Sequence, residues 1–125
     1  MSALRHFWLQ SARGLLLEHL VLGELLVRFG RNRVHYWRDK QQHEVDFVLE
    51  TTRKRDPLVI ECKSSAAKFD SAGLLSFRRR YPSGANWVVT LKDTERHSRR
   101  WGDVEVTFVP FLQLPALLEG LRARR

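Results

Sequence analysis

The most constraining feature of this sequence is a pair of short apolar runs that carry charges where apolar residues would be expected. Asp46 stands in the run 43–50, and Glu61 and Lys63 stand in the run 58–63. Both runs are rich in the residue types that favour adjacent β-strands. Ionised side chains inside strands are costly unless they are paired or bind a ligand. Charges placed against the hydrophobic pattern in this way tend to mark a binding or catalytic site.

The apolar pattern of the 125 residues predicts a single α/β domain, 1–125, with one hydrophobic core. A helix is predicted over about 2–29, with Gly14 as a candidate break and Gly30 at its end. Strands are predicted at 33–38, 43–50, 58–63, 87–91 and 104–109, and further helices at 69–80 and 111–123. This order, α-β-β-β-α-β-β-α, predicts a central mixed sheet flanked by helices.

The charge of the chain points to a polyanionic partner. The net charge is +8, and it comes mostly from arginine, with 17 Arg against 5 Lys. Basic clusters lie at 53–55, 78–80, 96–100 and 122–125. Such a surplus attracts polyanions, of which nucleic acid is the commonest for a basic domain. The alternative for each cluster is a solvated helix face or loop tip.

The sequence indicates neither a disulfide nor a membrane segment. Cys62 is the single cysteine, which excludes an internal disulfide and a cysteine-based zinc site. Because Cys62 alternates with Glu61 and Lys63, it faces the other side of the strand, where we expect it in the core. The first ten residues lack the pattern of a signal peptide, and the apolar segment 15–29 carries charges. We therefore expect no membrane span and a cytoplasmic location.

The charged strand residues have the chemistry of a metal site. Glu61 and Lys63 share one face of their strand. With a polar hairpin turn at 39–42, the second and third strands become neighbours and Asp46 lies beside Glu61. Two close carboxylates repel unless a cation lies between them, and their oxygens, with a backbone carbonyl near Cys62, suit Mg²⁺ or Mn²⁺. Lys63 would orient or help to deprotonate a metal-bound water, or neutralise a phosphate.

Glu18 is a fourth candidate residue, on the first helix. It lies near the inward stripe of that helix rather than on a polar face, so it needs a partner, and a metal or its bound water is one. A salt bridge to Arg13, Arg33 or Lys63 is the alternative. Glu24 lies six residues on and points in a different direction, so we do not expect both glutamates to reach one ion.

As a set, these residues resemble the PD-(D/E)XK nuclease superfamily. The resemblance rests on a Gly-x-x-x-Glu helix at 14–18, a Glu-Val-Asp strand at 44–46 and a Glu-x-Lys strand at 61–63. Val45 stands where the family name has proline, which affects strand geometry.

A narrower resemblance covers about 14–118. The runs 36–40, 44–48, 60–63 and 106–111 are similar to the uncharacterised domain at the C-terminal end of many bacterial and archaeal AAA-type ATPases. No P-loop motif occurs in the sequence, so we expect the chain to be either a detached relative of that domain or a fragment whose ATPase partner is absent.

The resemblance implies a restriction-endonuclease-like fold and Mg²⁺- or Mn²⁺-dependent hydrolysis of DNA. By resemblance, Asp46 and Glu61 are the metal ligands, Lys63 is the catalytic lysine and Glu18 is an accessory ligand in the catalytic set. Basic residues would hold the DNA backbone without reading sequence. These predicted nucleic-acid-binding residues are Arg38, Lys40, Arg53, Arg55, Arg78, Arg79 and Arg80.

Two other functions fit the same residues. The first is a catalytically silent module that docks nucleic acid or protein for an AAA-type ATPase, and the second is a buried ion-pair network. The complete acidic set with Lys63 favours retained chemistry. We expect DNA as a partner, with a second copy of the chain or an AAA-type ATPase as further candidates. Tyr36 and Trp37 are the aromatic residues best placed to stack on bases, with a core role as the alternative.

Overall fold

The computed structural model describes residues 2–51 and 56–123, with side chains from residue 14 onward. The helices are α1 (Ser2–Phe29), α2 (Ala72–Arg80) and α3 (Leu114–Ala123). The strands are β1 (Val34–Arg38), β2 (Glu44–Leu49), β3 (Leu58–Lys63), β4 (Asn86–Thr90), β5 (His97–Trp101) and β6 (Val104–Pro110). Within the described ranges, no helix has both the length and the apolar character needed to cross a membrane.

The six strands form one mixed sheet in the order β1-β2-β3-β4-β6-β5. β1, β2 and β3 are antiparallel neighbours, whereas β3, β4 and β6 run parallel to one another. β3 is therefore the strand at which the antiparallel half of the sheet meets the parallel half. The predicted α/β domain, a mixed sheet flanked by helices, is confirmed, with one strand more than predicted.

The two faces of the sheet carry separate apolar layers. One layer joins α1 and α3 to the sheet and contains Leu17, Val21, Leu25, Leu114 and Leu118 together with Ile60 and Cys62. The other layer joins α2 to the sheet and contains Leu74, Phe77, Val59, Val88 and Phe108. Cys62 is 6% exposed, so its predicted place in the core is confirmed. Alternation along β3 thus puts the side chains on either side of Cys62 in the α2 layer.

β5 is the strand that the sequence did not predict, because its residues form one of the basic clusters. It pairs antiparallel with β6, and its first four residues are exposed. Phe108 of β6 anchors it: the His97 ring stacks on Phe108 with 4.9 Å between ring centroids, and the Arg99 guanidinium lies 4.9 Å from the same centroid. Cationic and aromatic contacts replace the apolar alternation that would have revealed the strand.

α1 is continuous through Gly14, so the candidate break at that residue is not present. A Cβ atom at Gly14 would meet no described atom within 4 Å, so packing against the described part of the chain does not require glycine there. The second helix begins at Ala72 rather than 69, after a single 3₁₀ turn at Ala66–Lys68.

Arg78 is a buried structural residue at the C-terminal end of α2, with 4% of its surface exposed. Its five N–H groups donate to Asn86 Oδ1 and to the carbonyl oxygens of Pro57, Tyr81, Ser83 and Ala85, at 2.6–3.2 Å. Burial lowers the pKa of Arg78 to about 10, so it stays charged at neutral pH. The expectation that Arg78 binds nucleic acid is wrong, because its donors are used to join α2 to the starts of β3 and β4.

We predict that Arg78→Ala lowers the free energy of unfolding by about 3 kcal/mol or more, because it leaves several buried carbonyls without a donor. Arg79→Ala is the matched control, since Arg79 is the next residue and is exposed, and it should change stability by no more than about 0.5 kcal/mol. Urea denaturation of the three proteins measures both values. Equal effects of the two substitutions would contradict the structural role of Arg78.

Candidate functional site

β2 and β3 part before either strand ends, and the predicted acidic residues lie where they part. The ladder between them runs from Leu49–Leu58 to Phe47–Ile60. Beyond it β2 stays paired with β1, and β3 stays paired with β4 up to Lys63. The predicted pairing of the second and third strands is confirmed. Asp46 is the neighbour of Phe47 and Glu61 is the neighbour of Ile60 on the unpaired side of the last pair. The two residues therefore flank the opening between the strands, which we call the β2–β3 gap.

A β-bulge in β2 sets the direction of Asp46. Between two consecutive pairs of the β1–β2 ladder, β1 advances from 35 to 37 while β2 advances from 48 to 45, so β2 has one extra residue. The bulge changes which residues share a face. Val45 packs in the α2 layer and Phe47 packs in the α1 layer. Strict alternation along β2 predicts that Val45, Phe47 and Leu49 share one face. That prediction is wrong for Val45, because the bulge separates it from Phe47 and Leu49.

Asp46 spans the gap. The backbone N–H of Cys62 donates a hydrogen bond to Asp46 Oδ2 at 2.8 Å, so a side chain takes the position that a backbone carbonyl would have in a continued ladder. Burial raises the pKa of Asp46, whereas the Cys62 N–H and the charge of Lys63 act in the opposite direction. The carboxylate is therefore held in place, yet its ionised form is disfavoured by its surroundings.

Glu61 is the most perturbed carboxyl group of the site. It is 7% exposed, and burial raises its pKa to about 8, with the negative charge of Asp46 as the next contribution. Its Oε2 atom is buried and accepts no hydrogen bond from any residue that the structure describes. A buried carboxylate in this state needs a proton or a cation. Its hard oxygen donors suit a divalent cation such as Mg²⁺.

Lys63 and Glu18 lie on either side of the acidic pair. Lys63 shares a face of β3 with Glu61, is half-buried, and its charge lowers the pKa of Glu18, Asp46 and Glu61. Glu18 is half-buried on α1, and its pKa is raised first by burial and then by Asp46. Neither Glu18 nor Lys63 forms an ion pair with any residue whose side chain the structure describes. The alternative salt bridge of Glu18 to Arg33 or Lys63 is thus not formed, and the Arg13 side chain lies outside the described ones.

Glu24 takes no part in the site. It pairs with Arg28 at 2.9 Å, and Arg28 also bonds Glu119 of α3 at 2.7 Å. The prediction that Glu24 points in a different direction from Glu18 is confirmed. These ion pairs instead join the C-terminal end of α1 to α3.

Two acidic residues near the site, Glu44 and Asp70, were not predicted from the sequence as site residues. Glu44 raises the pKa of Glu18, Asp46 and Glu61, and Asp70 raises that of Glu61. Asp70 precedes α2, whose first turn lies against β2: a Cβ atom on Gly73 would be 2.1 Å from the Glu44 carbonyl oxygen. Only this close approach of helix to strand brings Asp70 to the site, and no local sequence signal predicts it.

The carboxylates leave part of a metal's coordination shell to other ligands. Among the residues that the structure describes, no three His, Cys, Asp or Glu side chains converge as a ready-made metal-binding group. Asp46 and Glu61 offer two carboxylates at the gap. Mg²⁺ is commonly held by one or two carboxylates with water and substrate oxygens in the remaining positions, so the pair suits Mg²⁺ or the similar Mn²⁺.

A basic groove lies beside the β1–β2 hairpin. It is open, has a volume of about 650 Å³, and is lined by Trp37, Arg38, Asp39, Lys40, Gln41 and Arg80. Three of the predicted nucleic-acid-binding residues (Arg38, Lys40 and Arg80) therefore line one surface. Arg38 also pairs with Glu44 at 2.9 Å, which places this end of the groove next to the β2–β3 gap.

The other residues predicted to bind nucleic acid are not among those that line this groove. Arg79 is exposed but does not line it, and Arg53 and Arg55 lie outside the described residues. Tyr36 is 79% exposed on β1. Trp37 packs edge-on against Phe77, with 5.4 Å between centroids, so one side of its ring belongs to the core.

One family model matches this chain. It is described as "Domain of unknown function (DUF4143)" and matches residues 13–113, from the first helix to the single 3₁₀ turn that follows β6. Domains of this family are often seen with AAA ATPases, in agreement with the narrower resemblance of the sequence. No curated protein matches the chain. The match includes every residue of the β2–β3 gap.

We predict that the metal-free wild-type protein loses stability as pH rises, because Glu61 must ionise in a buried position. The Glu61→Gln variant, which cannot ionise there, should not show this loss. The pKa of Glu61 is about 8 in the folded chain and near 4.5 without these surroundings, so between these values the folded state binds the proton more tightly. The contribution of Glu61 to the free energy of unfolding is therefore largest below about pH 4.5. It falls by a few kcal/mol as pH rises to about 8.

The measurement is the free energy of unfolding in EDTA, from about pH 5 to about pH 9. The difference between wild type and Glu61→Gln should grow in favour of the variant across this range. Glu95→Gln, at an exposed position, is the control and should run parallel to wild type. A constant difference between wild type and Glu61→Gln would show that the buried carboxyl does not titrate as proposed.

Proposed function

The chain belongs to the DUF4143 family, a domain family of unknown function, and from its candidate site we propose that it is a metal-dependent phosphodiester hydrolase acting on DNA. We assign it on this basis to the PD-(D/E)XK nuclease superfamily. The observation that carries the proposal is the buried Glu61 carboxyl, whose Oε2 has no partner, beside Asp46 and Lys63 at the β2–β3 gap. A purely structural site would have satisfied or replaced that group.

Asp46 and Glu61 are the residues that would hold Mg²⁺ or Mn²⁺. Neither forms an ion pair with a described residue, and the surroundings raise the pKa of both, so each gains from a nearby cation. The hydrogen bond from Cys62 fixes Asp46 before any ion binds. When bound, a divalent cation activates water and reduces the negative charge of the phosphate.

Lys63 supports the proposal because its ammonium group has no fixed partner among the described residues. It lies two residues after Glu61 on the same face, so it can reach a phosphate oxygen or a water at the mouth of the gap. There its charge would stabilise the charge that develops on the phosphate in the transition state. Glu18, on the α1 side, is placed to accept a hydrogen bond from that water, as an accessory residue.

The basic groove supports DNA as the substrate. Arg38, Lys40 and Arg80 would contact phosphates, which gives affinity without reading the sequence of bases. The pair Arg38–Glu44 joins the groove to the gap, so a strand held in the groove would lead toward Asp46 and Glu61.

The direct test is cleavage of single-stranded, duplex and branched DNA with Mg²⁺, Mn²⁺ or EDTA. We expect cleavage with either metal and none in EDTA. Asp46→Asn and Lys63→Ala should each lower the rate by about 100-fold or more, because they remove charge needed in the transition state. DNA binding should change little.

Asp103→Asn is the control for this assay, since Asp103 is exposed and distant in sequence from the site, and its rate should equal that of wild type. Absence of metal-dependent cleavage by the wild-type protein, with DNA binding equal in all variants, would overturn the hydrolase. It would leave the alternative, a silent module that docks nucleic acid or protein for an AAA-type ATPase.

A second prediction concerns the dependence of DNA affinity on salt concentration. For the double variant Lys40→Ala/Arg80→Ala, we expect the slope of log K against log salt concentration to be smaller by about 0.9 for each phosphate that the variant no longer neutralises, hence by up to about 2. Fluorescence anisotropy with labelled duplex measures the slope. The control is Arg79→Ala/Arg96→Ala, which removes the same charge from exposed positions outside the groove. Equal slopes for both double variants would argue against the groove as the contact surface.

A further inference from the structure

Two buried side-chain oxygens in the described part of the chain have no hydrogen-bond partner, Glu61 Oε2 and Thr90 Oγ1. Thr90, the last residue of β4, is fully buried at 0% exposure. Buried polar atoms without partners are few in folded proteins, and each one calls for an explanation. Glu61 belongs to the proposed site, whereas Thr90 is not among the residues assigned to it.

The register of the sheet brings these two groups together. β3 and β4 run parallel, with Glu61 opposite Val88 and Lys63 opposite Thr90. Val88 packs in the α2 layer, and Thr90, two residues further along, points to the same face as Val88 and Glu61. Thr90 is thus the lateral neighbour of Lys63 and the diagonal neighbour of Glu61 on one face of the sheet.

The chemistry of the two groups is complementary. An ionised carboxylate can only accept hydrogen bonds, whereas a hydroxyl can both donate and accept. Valine has nearly the same shape as threonine, and Val88 and Val89 precede Thr90 in the same buried strand. The hydroxyl therefore adds no packing, and its burial without a partner costs stability.

We propose that Thr90 is a positioning residue of the β2–β3 gap: its Oγ–H donates through one bridging water to Glu61 Oε2 and fixes the carboxylate for cation binding. The contact itself is independent of any activity, while its effect on cation binding rests on the proposed function. Groups that orient metal-binding side chains commonly affect affinity nearly as much as the ligands do.

A double-mutant cycle in EDTA tests the contact without metal. Melting temperatures are measured for wild type, Thr90→Val, Glu61→Met and the double variant, because methionine removes the carboxylate acceptor. We expect the effects of the two substitutions to be non-additive by a few degrees, as for residues that belong to one hydrogen-bond network. Additive effects would overturn the inference.

Calorimetric titration with Mn²⁺ tests the consequence. Thr90→Val should weaken Mn²⁺ binding by about 10-fold or more, and Thr90→Ser, which keeps the hydroxyl, should bind like wild type. A buried residue with a merely structural role would not give this rescue. Equal affinities of wild type and Thr90→Val would also overturn the inference. If Thr90→Val does not fold, the comparison of Thr90→Ala with Thr90→Ser decides in the same way.

The two experiments separate failure of this inference from failure of the proposed function. A non-additive cycle in a wild-type protein that binds no Mn²⁺ would refute the metal site and retain the Thr90–Glu61 contact. Mn²⁺ binding that is abolished in Asp46→Asn but unchanged in Thr90→Val would retain the site and refute the role of Thr90.

Discussion

The hydrogen bond from the Cys62 N–H to the Asp46 carboxylate is the interaction on which the candidate site depends. It lies where the β2–β3 ladder stops, and it replaces a backbone acceptor with an ionisable side chain. Because the bulge in β2 turns Asp46 into the gap, β3 can stay paired with β4 while Glu61 faces the opening. The geometry thus brings two carboxyl groups together where β2 and β3 part.

Two buried ionisable groups, Arg78 of α2 and Glu61 of β3, differ in whether their polar atoms have hydrogen-bond partners. All five N–H groups of Arg78 have carbonyl or amide acceptors, and the residue joins α2 to two strands. Glu61 is as deeply buried but keeps an oxygen without a partner, and its pKa rises to about 8. The first arrangement stabilises the fold, whereas the second retains a cost that a bound cation would remove.

Most of the fold and the members of the site follow from local pattern, and the differences follow from tertiary packing. The runs around Asp46 and Glu61 predicted neighbouring strands, and alternation correctly put Cys62 in the core. Alternation could not predict the bulge, which is a property of the pairing with β1. Equally, burial of Arg78 depends on acceptors far apart in sequence, and β5 is anchored by contacts of His97, Arg99 and Trp101 with Phe108 rather than by an alternating apolar pattern.

The most direct test of the central claim is calorimetric titration of the protein with Mn²⁺ at about pH 8, where protons compete for Glu61 less than they do at neutral pH. We expect one ion bound per chain and an affinity at least about 10-fold lower in Asp46→Asn. No heat of binding, or an equal affinity in Asp46→Asn, would contradict a cation site at the β2–β3 gap.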